Sequence, residues 1–166
     1  MRRDLPAEYK KGYVNFLGCR IDLSKRVLIP RPETEFWVKR ALEELSRDPF
    51  SGNCPENGSL DILDVFAGSG CIGIAVLRAC PELCRRVDFV DIDKNAIEQI
   101  KINLKLNRIP KDRYRIFQSD MFKKIAPYRA DLPRSEPKVL LRGGSGTGYN
   151  YIFANPPYVA RERIGE

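Results

Sequence analysis

The sequence predicts an α/β fold, a parallel doubly wound sheet preceded by a β-hairpin. Three observations carry that prediction. Between residues 60 and 119, short runs rich in Val, Ile and Phe alternate with segments of helical period. A glycine turn, Gly68-Ser69-Gly70, joins the first of these runs to the first of these helices. Upstream, residues 12–29 alternate loosely and break at Gly18 and Ser24, as short hairpin strands do.

The elements follow in order. After the hairpin comes "PRPETEFWVKRALEEL". Pro32 suits a first helical turn, and Glu33 and Glu35 complement the positive helix start. Phe36, Val38, Ala41, Leu42 and Leu45 then form a helical stripe. The stretch 46–59 is rich in turn residues and reads as a loop. "LDILDVF" (60–66) reads as a buried strand and "GCIGIAVLRAC" (70–80) as a helix of small residues. "RVDFVDI" (86–92) is a second strand, and 94–107 an amphipathic helix with Ile97, Ile100 and Leu104 on one face. "YRIFQS" (114–119) and "NYIFAN" (150–155) are the third and fourth strands. Residues 126–149, with "GGSGTG" at 143–148, read as a loop or linker. They lack the Gly-Lys-Ser/Thr ending of a phosphate cradle. The chain divides into a leading segment and hairpin (1–31) and the α/β domain (32–166).

Composition narrows the chemistry. The chain has 166 residues, five cysteines and no histidine. Without histidine, Ser-His and Cys-His nucleophile schemes are excluded, and a zinc site would lack its usual ligands. No Cys-x-x-Cys pair occurs, so the thiols read as free in a reducing cytosol, and no metal is expected. No apolar run is long enough to span a bilayer, and no secretory signal opens the chain. A cytoplasmic protein without a membrane partner is the expectation. The formal charge of +7 comes from 29 basic and 22 acidic residues. It fits either a nucleic-acid partner or a merely basic surface. Basic residues cluster in "KDRYR" (111–115), a run that more often is solvated than bound.

Two motifs carry chemistry. In "LDVFAGSGCIG" (63–73), Gly68 and Gly70 permit a tight turn and close approach to a ligand. The helix behind them offers unpaired N–H groups. Asp91, about 20 residues further on at the end of the second strand, can accept both hydroxyls of a ribose. Asp93 suits the cap of the next helix. Ser119 and Asp120, after the third strand, would lie near a purine. Asp120 either accepts from an exocyclic amine or caps the segment 121–125. The spacing Gly68-x-Gly70-x-x-Gly73 matches a dinucleotide fingerprint, but Gly73 falls inside the helix. Asp64, at the end of the first strand, would repel a pyrophosphate and can pair with the ammonium of a methionine-like tail. That points to S-adenosylmethionine.

The second motif is Asn155-Pro156-Pro157-Tyr158. The Asn155 carboxamide oxygen and the Pro156 carbonyl are two acceptors, Pro157 stiffens the turn, and Tyr158 offers a planar face. Together they fit a flat group bearing an NH₂. An amide nitrogen is a poor nucleophile that needs placement more than a base.

"NPPY" with "DVFAGSG" resembles the amino-group methyltransferases. "LIPRPETE" (28–35) narrows the resemblance to the HemK/PrmC family of release factor glutamine methyltransferases, over residue 12 to the end. The resemblance implies a Rossmann-like class I methyltransferase sheet in the order 3-2-1-4-5-7-6, incomplete here at its C-terminal side. It implies S-adenosylmethionine as cofactor, held by Asp64, Ala67, Gly68, Ser69, Gly70, Asp91, Ile92, Asp120, Met121 and Asn155. The substrate would be the glutamine of a release factor's Gly-Gly-Gln loop, held by Asn155, Pro156, Pro157 and Tyr158. Arg31–Glu35 would lie across the methionine end, though Thr34 and Glu35 equally suit helix capping.

The chain departs from that family in three ways. Phe66 stands where the family has a glycine, as in some RNA methyltransferases. Most of the N-terminal helical domain is missing, and so are the last strands. Methylation of an amino group on RNA or DNA and a non-catalytic remnant are therefore the alternatives. The strand bearing Asn155 would be an exposed edge, inviting a second copy to form a homodimer.

Overall fold

The computed structural model describes residues 5–47, 60–121, 123 and 149–156. A short helix α1 (Ala7–Lys11) leads in and ends on Gly12, whose left-handed φ of 84° lets its N–H reach Glu8 O. The hairpin follows as β1 (Tyr13–Phe16) and β2 (Cys19–Asp22), paired antiparallel. Its two-residue turn, Leu17-Gly18, has positive φ at both positions, the geometry that matches the twist of the flanking strands.

Helix α2 (Pro32–Arg47) begins at Pro32. The α/β unit then runs β3 (Leu60–Val65), α3 (Cys71–Ala79), β4 (Cys84–Asp91), α4 (Lys94–Leu106), β5 (Tyr114–Gln118) and β6 (Tyr151–Ala154). The strands form one parallel sheet in the order β5-β4-β3-β6. This is the 3-2-1-4 portion of the expected order. Among the described residues, β6 pairs with β3 alone.

Strand alternation divides the core. On one face Ile62, Val87, Phe89 and Phe153 join the buried residues of α2, α3, α4 and the hairpin in a single cluster. The Trp37 and Phe153 rings lie 6.0 Å apart within it. On the other face Leu63, Val65 and Val90 are covered by Phe66, Phe117 and Tyr149. The predicted stripe of α2 holds for Val38, Leu42 and Leu45, which are buried. Phe36 is different: it is 64% exposed, with the Arg40 guanidinium 5.4 Å from its ring centroid. Residues 37, 38, 41, 42 and 45 fill the buried arc, and one more ring falls outside it.

In the basic run 111–115, Lys111, Asp112 and Arg115 are exposed, as a solvated run would be, and its two arginines also bond to the sheet. Arg113 ends a 3₁₀ turn (Lys111–Arg113) and donates to the carbonyls of Arg85, Pro81 and Cys84 at 2.9, 2.7 and 2.6 Å. Arg115 makes a two-point contact with the fully buried Asp88 at 3.0 and 2.6 Å. That contact and the nearby carboxylate hold the Arg115 guanidinium firmly protonated. The Tyr149 hydroxyl donates to the same carboxylate, so Asp88 ties the approach to β6 onto β4. Asn150 adds a second tie. Its Oδ1 accepts from Asp61 N, and its own N–H donates to Asp61 O, both at 2.8 Å.

Gly73 shows why a glycine lies inside α3. A Cβ there would stand 2.4 Å from Phe89 Cε1 and 2.8 Å from Val87 Cγ1. The helix therefore rests directly on β4. In an exposed helix Gly→Ala stabilises by about 1 kcal/mol. Here Gly73→Ala should have the opposite sign, lowering the unfolding free energy by about 1–3 kcal/mol through overpacking. Urea denaturation of the two proteins measures it.

Candidate active site

Parallel strands bring their carboxyl ends to one edge of the sheet, where ligands of open α/β folds bind. Here that edge carries the Phe66–Gly70 turn after β3, Asp91 at the end of β4, Ser119 and Asp120 after β5, and Asn155 after β6. Four segments far apart in sequence are thus placed side by side.

The turn is built from backbone. Gly68 and Gly70 have φ of 54° and 75°, and a Cβ on Gly70 would press on Ile100 at 3.2 Å. Gly70 N–H closes the turn on Ala67 O at 2.7 Å, and Ala67 N–H donates to Val90 O. Phe66 also takes a left-handed φ of 58°. For a bulky side chain this costs about 1 kcal/mol or more, which explains why a glycine suits the position. The ring offsets the cost by packing on Leu63, Val65 and Val90.

Asp91 closes over this turn. Its Oδ2 accepts from Gly68 N at 2.8 Å, and its Oδ1 accepts from Asp93 N at 2.9 Å. Each oxygen keeps a second lone pair, so the carboxylate can still accept from a diol. Asp93 caps α4 as expected, accepting from Asn95 N at 2.9 Å. Beyond Asp91 lies a hollow of about 320 Å³ lined by Ile92, Gln118, Ser119, Asp120 and Lys123. Ile92 is 66% exposed there, an apolar side chain turned toward solvent beside two acids. The Asp120 carboxylate pairs with Lys123 Nζ; most of the segment 121–125 that it was expected to cap lies outside the described residues. Met121, exposed and at φ 48°, continues the rim.

These features fit an adenosine-type ligand. An exposed apolar wall suits a purine face, a strand-end carboxylate suits a ribose, and glycines without Cβ atoms admit close approach. Asp64 departs from its expected role. It is fully buried, its Oδ2 accepts from Gly73 N at 2.9 Å, and its Oδ1 has no hydrogen-bond partner among the described residues. It offers no surface to a ligand ammonium in this arrangement. Instead it supports the first turn of α3 from beneath, where the orphan N–H groups of a helix start need an acceptor. Ala67 and Ser69 are likewise buried beneath the turn rather than on its surface.

Cys71 follows the turn directly, but burial pushes its thiol up to about 12, so no thiolate nucleophile stands there. Cys19, Cys71, Cys80 and Cys84 are free and buried; Cys54 lies outside the described residues. Among the described residues no group of three or more His, Cys, Asp or Glu could hold a metal ion. No helix among them is long and apolar enough to cross a membrane.

Asn155 follows β6 directly, half-buried, with Pro156 exposed beside it. Pro157 and Tyr158 lie outside the described residues. The "PRPETE" segment reaches this point. Thr34, in the first turn of α2, is buried, and its Oγ1 accepts from Asn155 Nδ2 at 3.3 Å. Glu35 Oε1 accepts from Leu17 N in the hairpin turn at 2.8 Å. Both side chains therefore bond outside their own helix, rather than capping it.

A set of amides on α4 was not anticipated. Gln99 and Asn103 are fully buried, and with Asn107 they recur every four residues. Asn107 exchanges two hydrogen bonds with the Arg20 backbone. Asn103 Oδ1 accepts from Asp22 N at 2.7 Å, and its Nδ2 donates to Ser69 O at 2.9 Å. Gln99 Oε1 accepts from Lys25 N, and its Nε2 donates to the Asp22 carboxylate. The ladder fastens the hairpin to α4 and the hairpin to the glycine turn. The four-residue spacing of the amides was the available signal.

A sequence model of the methyltransferase small domain matches residues 51–137. Curated relatives named release factor glutamine methyltransferase align along nearly the whole chain. The one from Rhodopirellula baltica is 28% identical over 161 residues, 97% of this chain and 46% of the relative. The one from Streptococcus pneumoniae is 31% identical over 163 residues, 97% and 45% respectively. The chain spans about half the length of the curated relatives it matches. Among solved structures, yhhF from Escherichia coli, a candidate methyltransferase, aligns at a TM-score of 0.55 with 20% identity. The alignment covers 93% of this chain and 68% of that one, a likeness of fold.

Asp64 makes a pH prediction. Burial holds its carboxyl up at about 8 against an ordinary 3.8. Between those values the folded chain keeps a proton that the unfolded chain has released. Its contribution to stability is thus full below pH about 4 and is lost as pH rises toward about 8. Asp64→Asn keeps an acceptor for Gly73 N–H and removes the titration. In urea denaturation at pH 5 and pH 8, the stability of the variant relative to the parent should rise with pH. A gap unchanged with pH would show that Asp64 does not titrate in this window.

Proposed function

The chain belongs to the methyltransferase small-domain family, and from that premise we propose that it serves S-adenosylmethionine-dependent methylation of a side-chain amide. The amide is that of a glutamine, in the Gly-Gly-Gln loop of a peptide chain release factor. The observation that carries the reading is the shared strand edge. It sets Asn155, the first residue of the "NPPY" sequence, beside a glycine turn closed by Asp91.

In this reading Gly68 and Gly70 admit the cofactor to the turn, and Asp91 accepts from its ribose hydroxyls. Ile92 and Met121 flank the purine, and Asp120 accepts from its exocyclic amine. When bound, the cofactor supplies an electrophilic methyl group on a sulfonium. The residues of this chain do the rest by placement. Asn155 Oδ1 and the Pro156 carbonyl accept the two protons of the substrate NH₂, Pro157 stiffens the turn, and Tyr158 stacks on the amide plane. Holding the nitrogen at attack distance is worth up to about 7–11 kcal/mol; the surplus proton of the methylated amide would leave to water, so no tuned base is needed and the absence of histidine is no obstacle.

The names of the relatives support the release factor as the substrate. Methylation of a nucleic-acid amino group draws less support. The basic run 111–115 lends it little, because Arg113 and Arg115 are tied to backbone carbonyls and to Asp88.

The test is transfer of labelled methyl from S-adenosylmethionine to the glutamine of a Gly-Gly-Gln release factor domain. Asn155→Ala should lower the rate at least about a hundred-fold, the scale of losing a positioning contact. Equal rates for parent and variant would refute the role of Asn155. Label in RNA bases and not in the protein would move the substrate to nucleic acid.

A further inference from the structure

We propose that the hairpin and α4 together form a docking face for single-stranded RNA. The charge of the chain is spread unevenly. Residues 11–26 carry Lys11, Arg20, Lys25 and Arg26 against one acid, Asp22. Residues 94–108 carry Lys94, Lys101, Lys105 and Arg108 against one acid, Glu98. Helix α2 has the opposite balance, with Glu33, Glu35, Glu43 and Glu44 against Lys39, Arg40 and Arg47. The basic surplus is thus concentrated on two elements rather than spread as an even coat.

Those two elements lie side by side. Gln99, Asn103 and Asn107 accept in turn from the backbone N–H groups of Lys25, Asp22 and Arg20, so the chain from Arg20 to Lys25 runs antiparallel along α4. At 3.6 residues per turn, positions 94, 98, 101, 105 and 108 share one ridge that faces away from the amides. Lys94, Lys101, Lys105 and Arg108 are exposed on it. Glu98 is the acid of the ridge, and Lys101, Lys25 and Lys94 around it hold its carboxyl below the ordinary value. Arg20 and Lys25, also exposed, form a second row beyond the amides. The Tyr13 ring gathers more charge at the end of that row. Its centroid lies 3.8 Å from the Arg20 guanidinium and 4.5 Å from Lys11 Nζ. Between the rows stand Ile102, half-buried, and Leu106, 43% exposed.

That pattern selects the partner. Two apolar side chains fall far short of the centre that a stable protein interface needs. A duplex would present phosphates alone. A single strand lays its phosphates along a row of cations and turns base faces to the apolar strip beside it. Single-stranded nucleic acid in a cell is chiefly RNA, so RNA is the partner. Helix α4 has 13 residues, so the ridge is about 20 Å long and spans a few nucleotides. The contacts are to backbone phosphates, so affinity is expected without selection of base sequence. The face is a place of binding and does not make the RNA a methyl acceptor.

Fluorescence anisotropy with a labelled, unstructured RNA of about ten nucleotides tests it. Binding by the parent should weaken steeply with salt, log K falling against log salt with a slope of about −3, as for about four phosphates. Lys25→Ala combined with Lys105→Ala removes one cation from each row. At about 0.1 M salt it should lower affinity about ten- to thirty-fold and make the slope shallower by about 1.4. Lys39→Ala combined with Arg40→Ala makes the same change of net charge on α2 and should stay within about two-fold, as a screened charge away from the face would. If the first variant does not fold, Lys105→Ala alone, at an exposed position, is read in its place, with a loss of about five-fold. Equal losses in the two double variants would overturn the proposal, by showing attraction to net charge alone. No binding by a folded parent at low salt would overturn it too. So would tighter binding of duplex DNA of the same length, or equal binding of polyglutamate of the same charge. None of these readouts needs methyl transfer, so they stand apart from the proposed function.

Discussion

The arrangement of the site depends on one buried carboxamide, that of Asn103. It accepts from the backbone of β2 with its oxygen and donates to the glycine turn with its nitrogen. A buried amide left half-satisfied would cost about 1–3 kcal/mol, so the hairpin and the turn are each held where Asn103 needs them. From the hairpin the linkage continues through Leu17 N–H to Glu35, and α2 then presents Thr34 to Asn155. A chain of polar contacts therefore runs from the glycine turn to Asn155 without crossing the sheet. The hairpin, which looks like a lead-in, is the middle link.

The sheet supplies the complementary constraint. Its parallel order places β6 next to β3, so the residue after β6 must emerge beside the turn after β3. Tyr149 and Asn150 secure the start of β6 to Asp88 and to the Asp61 backbone, and so fix the register that delivers Asn155. Small residues do the close fitting. Gly73 lets α3 rest on Phe89, which sets how near the helix start stands to the turn. Phe66 and Asp64 mark where the turn is under stress, one by a left-handed backbone and one by a fully buried carboxyl.

Much of this was legible in the sequence. Periodicity located the four parallel strands, α2, α3, α4 and the hairpin to within a few residues, because each has a strong apolar pattern of its own. The glycine turn, Asp91 and Asp93 were legible because turn geometry and capping are local chemistry. Tertiary matters were harder. Helix α1 has five residues and buries none, so it leaves no stripe. The partners of Arg113 and Arg115 are carbonyls and a carboxylate contributed by β4 and the residues before it, which no local pattern displays. Asp64 read as a ligand for an ammonium because its burial is a property of the packed helix above it. The amides of α4 read as its polar face, whereas they hold the backbone of another element.

The central claim is that the turn after β3 and the acid after β4 form a working cofactor site. Calorimetric titration of this chain with S-adenosylmethionine, beside Asp91→Ala, tests it most directly. The account predicts saturable one-to-one binding by the parent and an affinity lower by about ten- to a hundred-fold in the variant, the loss of a charged hydrogen-bonding partner. Equal affinity in the two proteins, or no heat of binding from a folded parent, would contradict it.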